Sequence, residues 1–402
     1  MTSLPRRTLV AGGAAAALLA ALPARAQALP GVTAKAIRIG STGPLSGPVS
    51  VLGTMHKVHA AYFGQVNAQG GIGGRQIDYT VYDDGFSPPK TLELTRRLVE
   101  RDEVALLFGQ TGTGPNSAIV KYVNTKGIPH LFLTVNGDKW GDHKAYPWTL
   151  PFAPSGRGET RIFVRHALQQ NPAARIAILY QNDDFGRDYL AGARDVLGAR
   201  YEAVVKAASY EVTDPTVDSQ LIQLQASGAD VLISGVAGRF GALTIRKVHE
   251  MGWKPRHYLS NGAASVAGTI APAGPERAVG VVCTAYLKDP QAPQWAEDAG
   301  MQAYQAFMAK HLAQADAGDA FNYYAYTVAQ AMVQVLTQCQ GDLRRENILQ
   351  QANSLKEVAL PLLLPGITLN TAPDNHHPIR QVQLQRWDGK AWQHFGGILA
   401  AS

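Results

Sequence analysis

The groups best placed to do chemistry in this chain are hydroxyls, amides and glycine-flanked N–H groups, with no nucleophile and base at motif spacing. Phe108-Gly109-Gln110-Thr111-Gly112-Thr113-Gly114 closes an apolar run and opens a helical pattern. A glycine-rich loop leading into a helix leaves N–H groups unpartnered and sets the positive end of the helix dipole beside them, which suits an anion. Thr113 adds a hydroxyl there, either for a ligand or as a cap for the helix that follows. Ser46 offers another in Gly43-Pro44-Leu45-Ser46-Gly47-Pro48, a turn cluster after the first apolar run. Arg239 follows the apolar run 231–234 and could pair with a carboxylate through two N–H groups, or stand solvated on the surface.

Other candidates read more simply as structure. Asp83-Asp84 and Asp183-Asp184 could serve as acid and base or bind a metal, but both follow strand-like runs and precede turns, where Asp caps backbone N–H groups. His376-His377 lies in a Pro- and Asn-rich stretch that reads as an exposed loop. Gly70-Gly71-Ile72-Gly73-Gly74 precedes a strand instead of opening a helix, so it is no dinucleotide fingerprint. The chain lacks GxxxxGK[ST], GxSxG, HExxH and CxxC, and with them the usual signs of a phosphate cradle, a serine nucleophile, a zinc site and a redox pair. No cofactor or metal is expected, and no enzyme. Cys283 and Cys339 are far apart in sequence; an oxidising compartment would permit their pairing, and two buried thiols fit as well.

Arg6 and Arg7 precede an uncharged stretch from Leu9 to Leu22, and Ala24-Arg25-Ala26 supplies the small-x-small pattern of a signal-peptidase site. Residues 1–26 therefore read as an export signal, of twin-arginine or ordinary secretory type. Removal of Arg6, Arg7 and Arg25 takes the formal net charge from +6 to +3, too mild to argue for nucleic acid. No later run is apolar for long enough to cross a membrane, so the mature protein is expected in the periplasm and not embedded in a bilayer.

These groups must be positioned by alternating strands and helices. Ile37 to Gly40, 104–108 and 128–135 read as strands; 91–100 and 116–126 read as helices. A second series follows, with helices at 158–170, 188–197 and 218–227 and strands at 175–180, 203–207 and 231–234. Such alternation predicts α/β architecture with mainly parallel sheets covered on both faces. The unit occurs twice, with Trp148 to Pro154 as a crossing between the two.

The succession GPLSGP, NAQGGIGGRQI, YDDGFSPPKT, FGQTGTGPNSA, GIPHLF, ILYQNDDFGRDYL and YLKDP resembles the periplasmic binding proteins of branched-chain amino acid type ABC importers, the leucine/isoleucine/valine-binding family. That resemblance implies two doubly wound lobes joined by three crossings, with a hinge that closes them on a solute. It divides the chain into lobe 1 at 33–152 plus 288–365 and lobe 2 at 153–287 plus 366–398. The chain would recross near 281–288 and 365–370, the helices at 293–311 and 324–338 would join lobe 1, and the strand 382–387 would finish lobe 2.

Carried over position by position, the resemblance puts Thr113 on a ligand carboxylate and Thr134 and Asn136 in the next ligand loop, where Asn136 replaces a threonine. Gly262 falls where the amino-acid binders have a glutamate for the ligand ammonium, and an unpaired ammonium in a closed cleft would be costly. Leu52 stands where the family often has Tyr or Trp, and Phe185 matches a pocket tyrosine without its hydroxyl. Trp140 and Trp148 could add an aromatic wall or serve packing. LFLTVNGDKWGD, YPWTLPF and LYQNDDFGRDYL also resemble a subgroup associated with aromatic or hydrophobic carboxylates. The expectation is a monomeric binder of a small carboxylate that delivers it to an ABC transporter membrane permease. Branched-chain amino acid binding is the alternative within the class; a ligand-sensing subunit for a membrane receptor is the alternative outside it.

Overall fold

The computed structural model describes residues 29–401 apart from Pro48, so the expected export signal lies outside the described residues. The first unit runs β1 (Ala36–Gly43), α1 (Thr54–Ala68), β2 (Gln76–Asp83), α2 (Pro88–Glu100), β3 (Leu106–Phe108), α3 (Thr113–Thr125), β4 (His130–Leu133) and β5 (Thr149–Pro151). Its strands form a sheet in the order β2-β1-β3-β4-β5, with every neighbouring pair parallel. Leu106, Leu107 and Phe108 are all fully buried, as a strand covered on both faces requires.

The second unit runs α4 (Gly156–Gln170), β6 (Ile176–Gln181), α5 (Asp184–Leu197), α6 (Tyr201–Val204), β7 (Val205–Tyr210), α7 (Asp218–Ala226), β8 (Val231–Gly235), α8 (Arg239–Glu250), β9 (Arg256–Leu259), α9 (Ala271–Ala273) and β10 (Val282–Ala285). Strand periodicity explains its two cores. Ile176 and Ile178 join Phe163, Tyr189 and Ala193 on one face of the sheet. Ala177 and Leu179 join Leu221, Leu224 and Ile245 on the other.

The chain then returns to the first unit. Of α10 (Ala299–His311), α11 (Ala320–Gln338) and α12 (Arg345–Ala352), the first two pack on α1 through Phe307 and Tyr326, which meet Tyr62 at ring-centroid distances of 5.9 and 5.1 Å. It re-enters the second sheet as β11 (Gln381–Trp387) and β12 (Trp392–Ala400), giving the order β12-β11-β10-β9-β8-β6-β7. The last two returns lie side by side. Leu287 and Leu363 form an antiparallel bridge, Lys288 N–H donates to Leu362 O at 2.8 Å and Leu364 N–H donates to Tyr286 O at 2.9 Å. The contact falls a few residues before the stretch 365–370 expected from sequence.

The structure departs from some expectations and decides between the alternatives left open by others. β11 is antiparallel to β10, and β12 extends the sheet as a further antiparallel edge strand. Cys283 and Cys339 are both free and buried. His376 is not in an exposed loop: it is buried, with Nδ1 2.9 Å from Thr149 O. Trp140 is buried between Leu133 and Val135 as core, and no helix among the described residues is long and apolar enough to cross a membrane.

Candidate functional site

A cavity of about 100 Å³ opens between the two sheets, walled by the loops after β4, β9 and β10 and by the start of α11. These are carboxyl ends of parallel strands, where the backbone diverges and a crevice forms. Most of its wall is apolar or aromatic: Tyr286, Phe321, Tyr323, Tyr324 and Trp392, with alanines between them. Trp392 is fixed by its Nε1 donating to Ala264 O at 3.0 Å and by an edge contact with Trp387.

Thr134 reaches this wall through an irregular strand end. The β4–β5 register shifts between Leu131 and Leu133, with Phe132 at φ 55°, and such a bulge re-aims the residues beyond it. The Thr134 hydroxyl and the Tyr324 phenol are buried and face each other, and neither makes a well-formed hydrogen bond among the described residues beyond that weak mutual contact. They are neighbours: burial pushes the Tyr324 pKa well up, and the Thr134 hydroxyl opposes it. The phenol therefore stays a donor at neutral pH. Gly112 N–H donates to Thr134 O at 3.3 Å, so α3 begins directly beside this pair.

On the opposite wall, Asn261 is held by a buried carboxylate. Its N–H donates to Glu159 Oε1 at 2.9 Å, and its Nδ2 donates to Thr284 O at 2.7 Å. Glu159 also accepts from Thr284 Oγ1 at 2.5 Å and from Tyr189 OH at 2.6 Å. Burial raises the Glu159 pKa to about 7, against the pull of those donors. A Cβ on Gly262 would meet nothing nearer than Asn136 Oδ1 at 4.0 Å, so the space in front of it is open.

A match to the family described as periplasmic binding protein covers residues 36–391. The chain belongs to that family. It is 25% identical over 263 residues to a Leu/Ile/Val-binding protein homolog 7 from Brucella suis, a match that spans 63% of each chain. Among solved structures, a branched chain amino acid ABC transporter protein from Thermus thermophilus with bound valine superposes with TM-score 0.80 at 15% identity, covering 92% of this chain and 97% of that one. A fatty acid ABC transporter substrate-binding protein from Thermomonospora curvata gives TM-score 0.70 at 19% identity, covering 92% and 94%. At such identity these superpositions speak for the fold: two α/β lobes with parallel sheets, as in this family.

Within that fold, the cavity wall of this family member includes Thr134, Asn136 and Gly262 from the sequence-derived set. The others stand elsewhere. The Thr113 side chain does not line the cavity; the residue starts α3 next to Thr134 and makes no side-chain cap, the N-cap being Gly112. Ser46 is exposed, its hydroxyl donating to Asp83 Oδ2 at 2.5 Å, because that carboxylate also collects the N–H groups of Leu45 and Ser46 to fix the turn. Leu52 is half-buried against the main core. Phe185 packs edge-on against Tyr189, at 5.4 Å between centroids, because helix α5 turns that face into the core. Arg239 is exposed, with its guanidinium over the Phe240 ring and Nη2 on Asp214 O, the solvated surface alternative.

Sequence reasoning missed the aromatic wall from α11, and it missed Asp289, which also lines the cavity. Tyr323-Tyr324 and Lys288-Asp289 sit inside segments that were legible only as a helix and a crossing. Outside the cavity, the lobes touch through a polar cluster. Lys139 Nζ lies 2.5 Å from Asp184 Oδ2, Asp138 N–H donates to Asp188 Oδ2 at 2.5 Å, and Arg157 Nη1 is 3.4 Å from Asp138 Oδ2. Burial raises the Asp188 pKa to about 7, partly opposed by that N–H.

Proposed function

We propose that this protein is a periplasmic solute-binding protein that captures a small carboxylate with a hydrophobic or aromatic body between its lobes and delivers it to an ABC import permease. The observation that carries this reading is the pair of buried hydroxyls, Thr134 and Tyr324, which share only a weak mutual contact among the described residues, in a largely apolar and aromatic cavity. Buried donors without acceptors are costly, and a carboxylate would satisfy both at once. Asn136 adds an amide whose side chain makes, among the described residues, one weak hydrogen bond, from Nδ2 to Pro154 O at 3.5 Å. The start of α3, with Thr113 and its N–H groups, adds a favourable dipole beside the same point.

The relatives named for Leu/Ile/Val binding, for valine and for fatty acid support a hydrophobic acid in general terms. The empty space at Gly262 favours an acid without an ammonium at that wall. A branched-chain amino acid is the second reading, favoured by one observation, the acid Asp289 elsewhere in the wall. The protein acts as a monomer, and closure of the lobes presents the loaded form to the permease. Isothermal titration tests the site: Thr134→Val and Tyr324→Phe each lower affinity for a bound hydrophobic carboxylate by about tenfold, the value of a charge-assisted hydrogen bond. Unchanged affinity in both variants would refute this placement of the carboxylate.

A further inference from the structure

Asp289 stands in the cavity wall at the crossing that follows β10, close enough to Tyr323 for its charge to raise that phenol's pKa. Its Oδ1 accepts one hydrogen bond, from Gln291 N–H at 2.9 Å. No cation answers it. The adjacent Lys288 is committed to Asp298 Oδ2 at 2.7 Å and Pro361 O at 2.8 Å, and no Lys, Arg or His among the described residues forms an ion pair with Asp289. Burial raises its pKa, with only the Gln291 N–H working against that. Asp289 Oδ2 has no partner among the described residues, and closure of the aromatic-walled cleft on a solute would strip water from it, so that a donor on the solute would compensate it.

We propose that Asp289 is a second polar subsite, which accepts a hydrogen bond from a donor group on the solute, a protonated amine or a hydroxyl, separate from the carboxylate end at Thr134 and Tyr324. This rests on the reading of the cavity as the solute site. It narrows the solute to acids that carry a donor as well as an apolar body. Asp289 also separates donor recognition from the loop at Gly262, since it comes from the hinge crossing and not from the lobe 2 loop after β9. A donor reaching it would be engaged by a residue whose neighbours at 286–288 pair with 362–364, so binding and the hinge share one segment.

Matched ligand sets on ligand-stripped protein test this by titration calorimetry: 4-methylpentanoate with leucine and 2-hydroxy-4-methylpentanoate, and 3-phenylpropionate with phenylalanine, 3-phenyllactate and 3-(4-hydroxyphenyl)propionate. At least one donor-bearing acid binds about tenfold or more tightly than its donor-free parent, as hydrogen bonds to charged groups do. Asp289→Ala abolishes that preference, so that the donor-bearing acid binds no more tightly than its donor-free parent. Asp289→Asn distinguishes the donors. It removes the preference for an amine, which needs the charge, and keeps most of it for a hydroxyl, which needs only an acceptor. A preference that survives Asp289→Ala, or parents that bind as tightly as their donor-bearing partners, would overturn the subsite while leaving the carboxylate site standing. Failure of every acid in both sets to bind would overturn both.

Discussion

At Gly262, a single missing side chain shapes the chemistry of the cleft. Nothing lies within 4 Å of a Cβ there except Asn136 Oδ1 at 4.0 Å, so a larger residue fits without displacing the backbone. Gly262→Glu is expected to keep stability within about 0.5 kcal/mol, as substitutions without a steric or burial penalty do. Its carboxylate, aimed across the cavity, should lower affinity for an amine-free acid by about tenfold through like-charge repulsion. Titration of the variant against the wild type measures it, and unchanged affinity would place the ligand away from this wall. A different residue governs acid stability. His130 is fully buried with neither ring nitrogen partnered, and burial lowers its pKa to about 3. Its folded pKa lies below the unfolded value near 6.5, so its share of stability is present above pH 6.5 and is lost as pH falls toward 3. His56 and His257, each lowered to about 4 by burial, act in the same direction. Glu159, raised to about 7, acts in the opposite direction: its folded form holds its proton longer, so stability falls as pH rises from about 4.5 to 7. Each buried histidine adds up to about 1.4 kcal/mol of slope per pH unit. His130→Leu should flatten the loss of stability between pH 6.5 and 4 in urea unfolding; an unaltered slope would mean that His130 titrates normally in the folded state.

Elements explain which residues the sequence could reveal. Thr134, Asn136 and Gly262 were reached only through the family resemblance; in the structure each follows a strand end, and strand ends in an open parallel sheet converge on one crevice. Phe185 misled because an aromatic at the start of a helix carries no sign of which face it will turn; here the face packs on Tyr189. Ser46 misled because its partner, Asp83, lies 37 residues along the chain and no local pattern links them. β12 was unreadable for another reason. Gly396 and Gly397 interrupt it, and the register shift beside Gln383 breaks the alternation that marks a strand. The turn 138–141 carries the polar bridge to α4 and α5 in the second lobe. Lys139 and Asp184 are partly exposed, so their pair contributes about 1 kcal/mol or less to stability. Because it joins the two lobes, it should act on the balance of open and closed forms. Asp184→Asn should leave the melting temperature nearly unchanged, enlarge the radius of gyration of the ligand-free protein in small-angle scattering and weaken ligand binding a few-fold. An unchanged radius would deny the bridge a part in closure.

For the molecule as a whole, the order of strands, helices and crossings was legible because buried parallel strands and amphipathic helices leave strong periodic signals. The cavity itself was not, because its wall is assembled from segments as distant as Thr134, Gly262, Asp289, Tyr324 and Trp392. Such a site exists only when the lobes meet, so a solute can shift the equilibrium only by binding the closed form better than the open one. Contacts from both lobes are therefore what turns affinity into closure. The most direct test is a thermal-shift screen of ligand-stripped protein against hydrophobic and aromatic carboxylates and against their uncharged amides. Carboxylates at about 100 times their dissociation constant should stabilise the wild type by roughly 2.7 kcal/mol, and the amides much less. The stabilisation should fall away in Thr134→Val/Tyr324→Phe. Equal stabilisation by acids and amides, or a full shift retained in the double variant, would contradict capture of a carboxylate by this cavity.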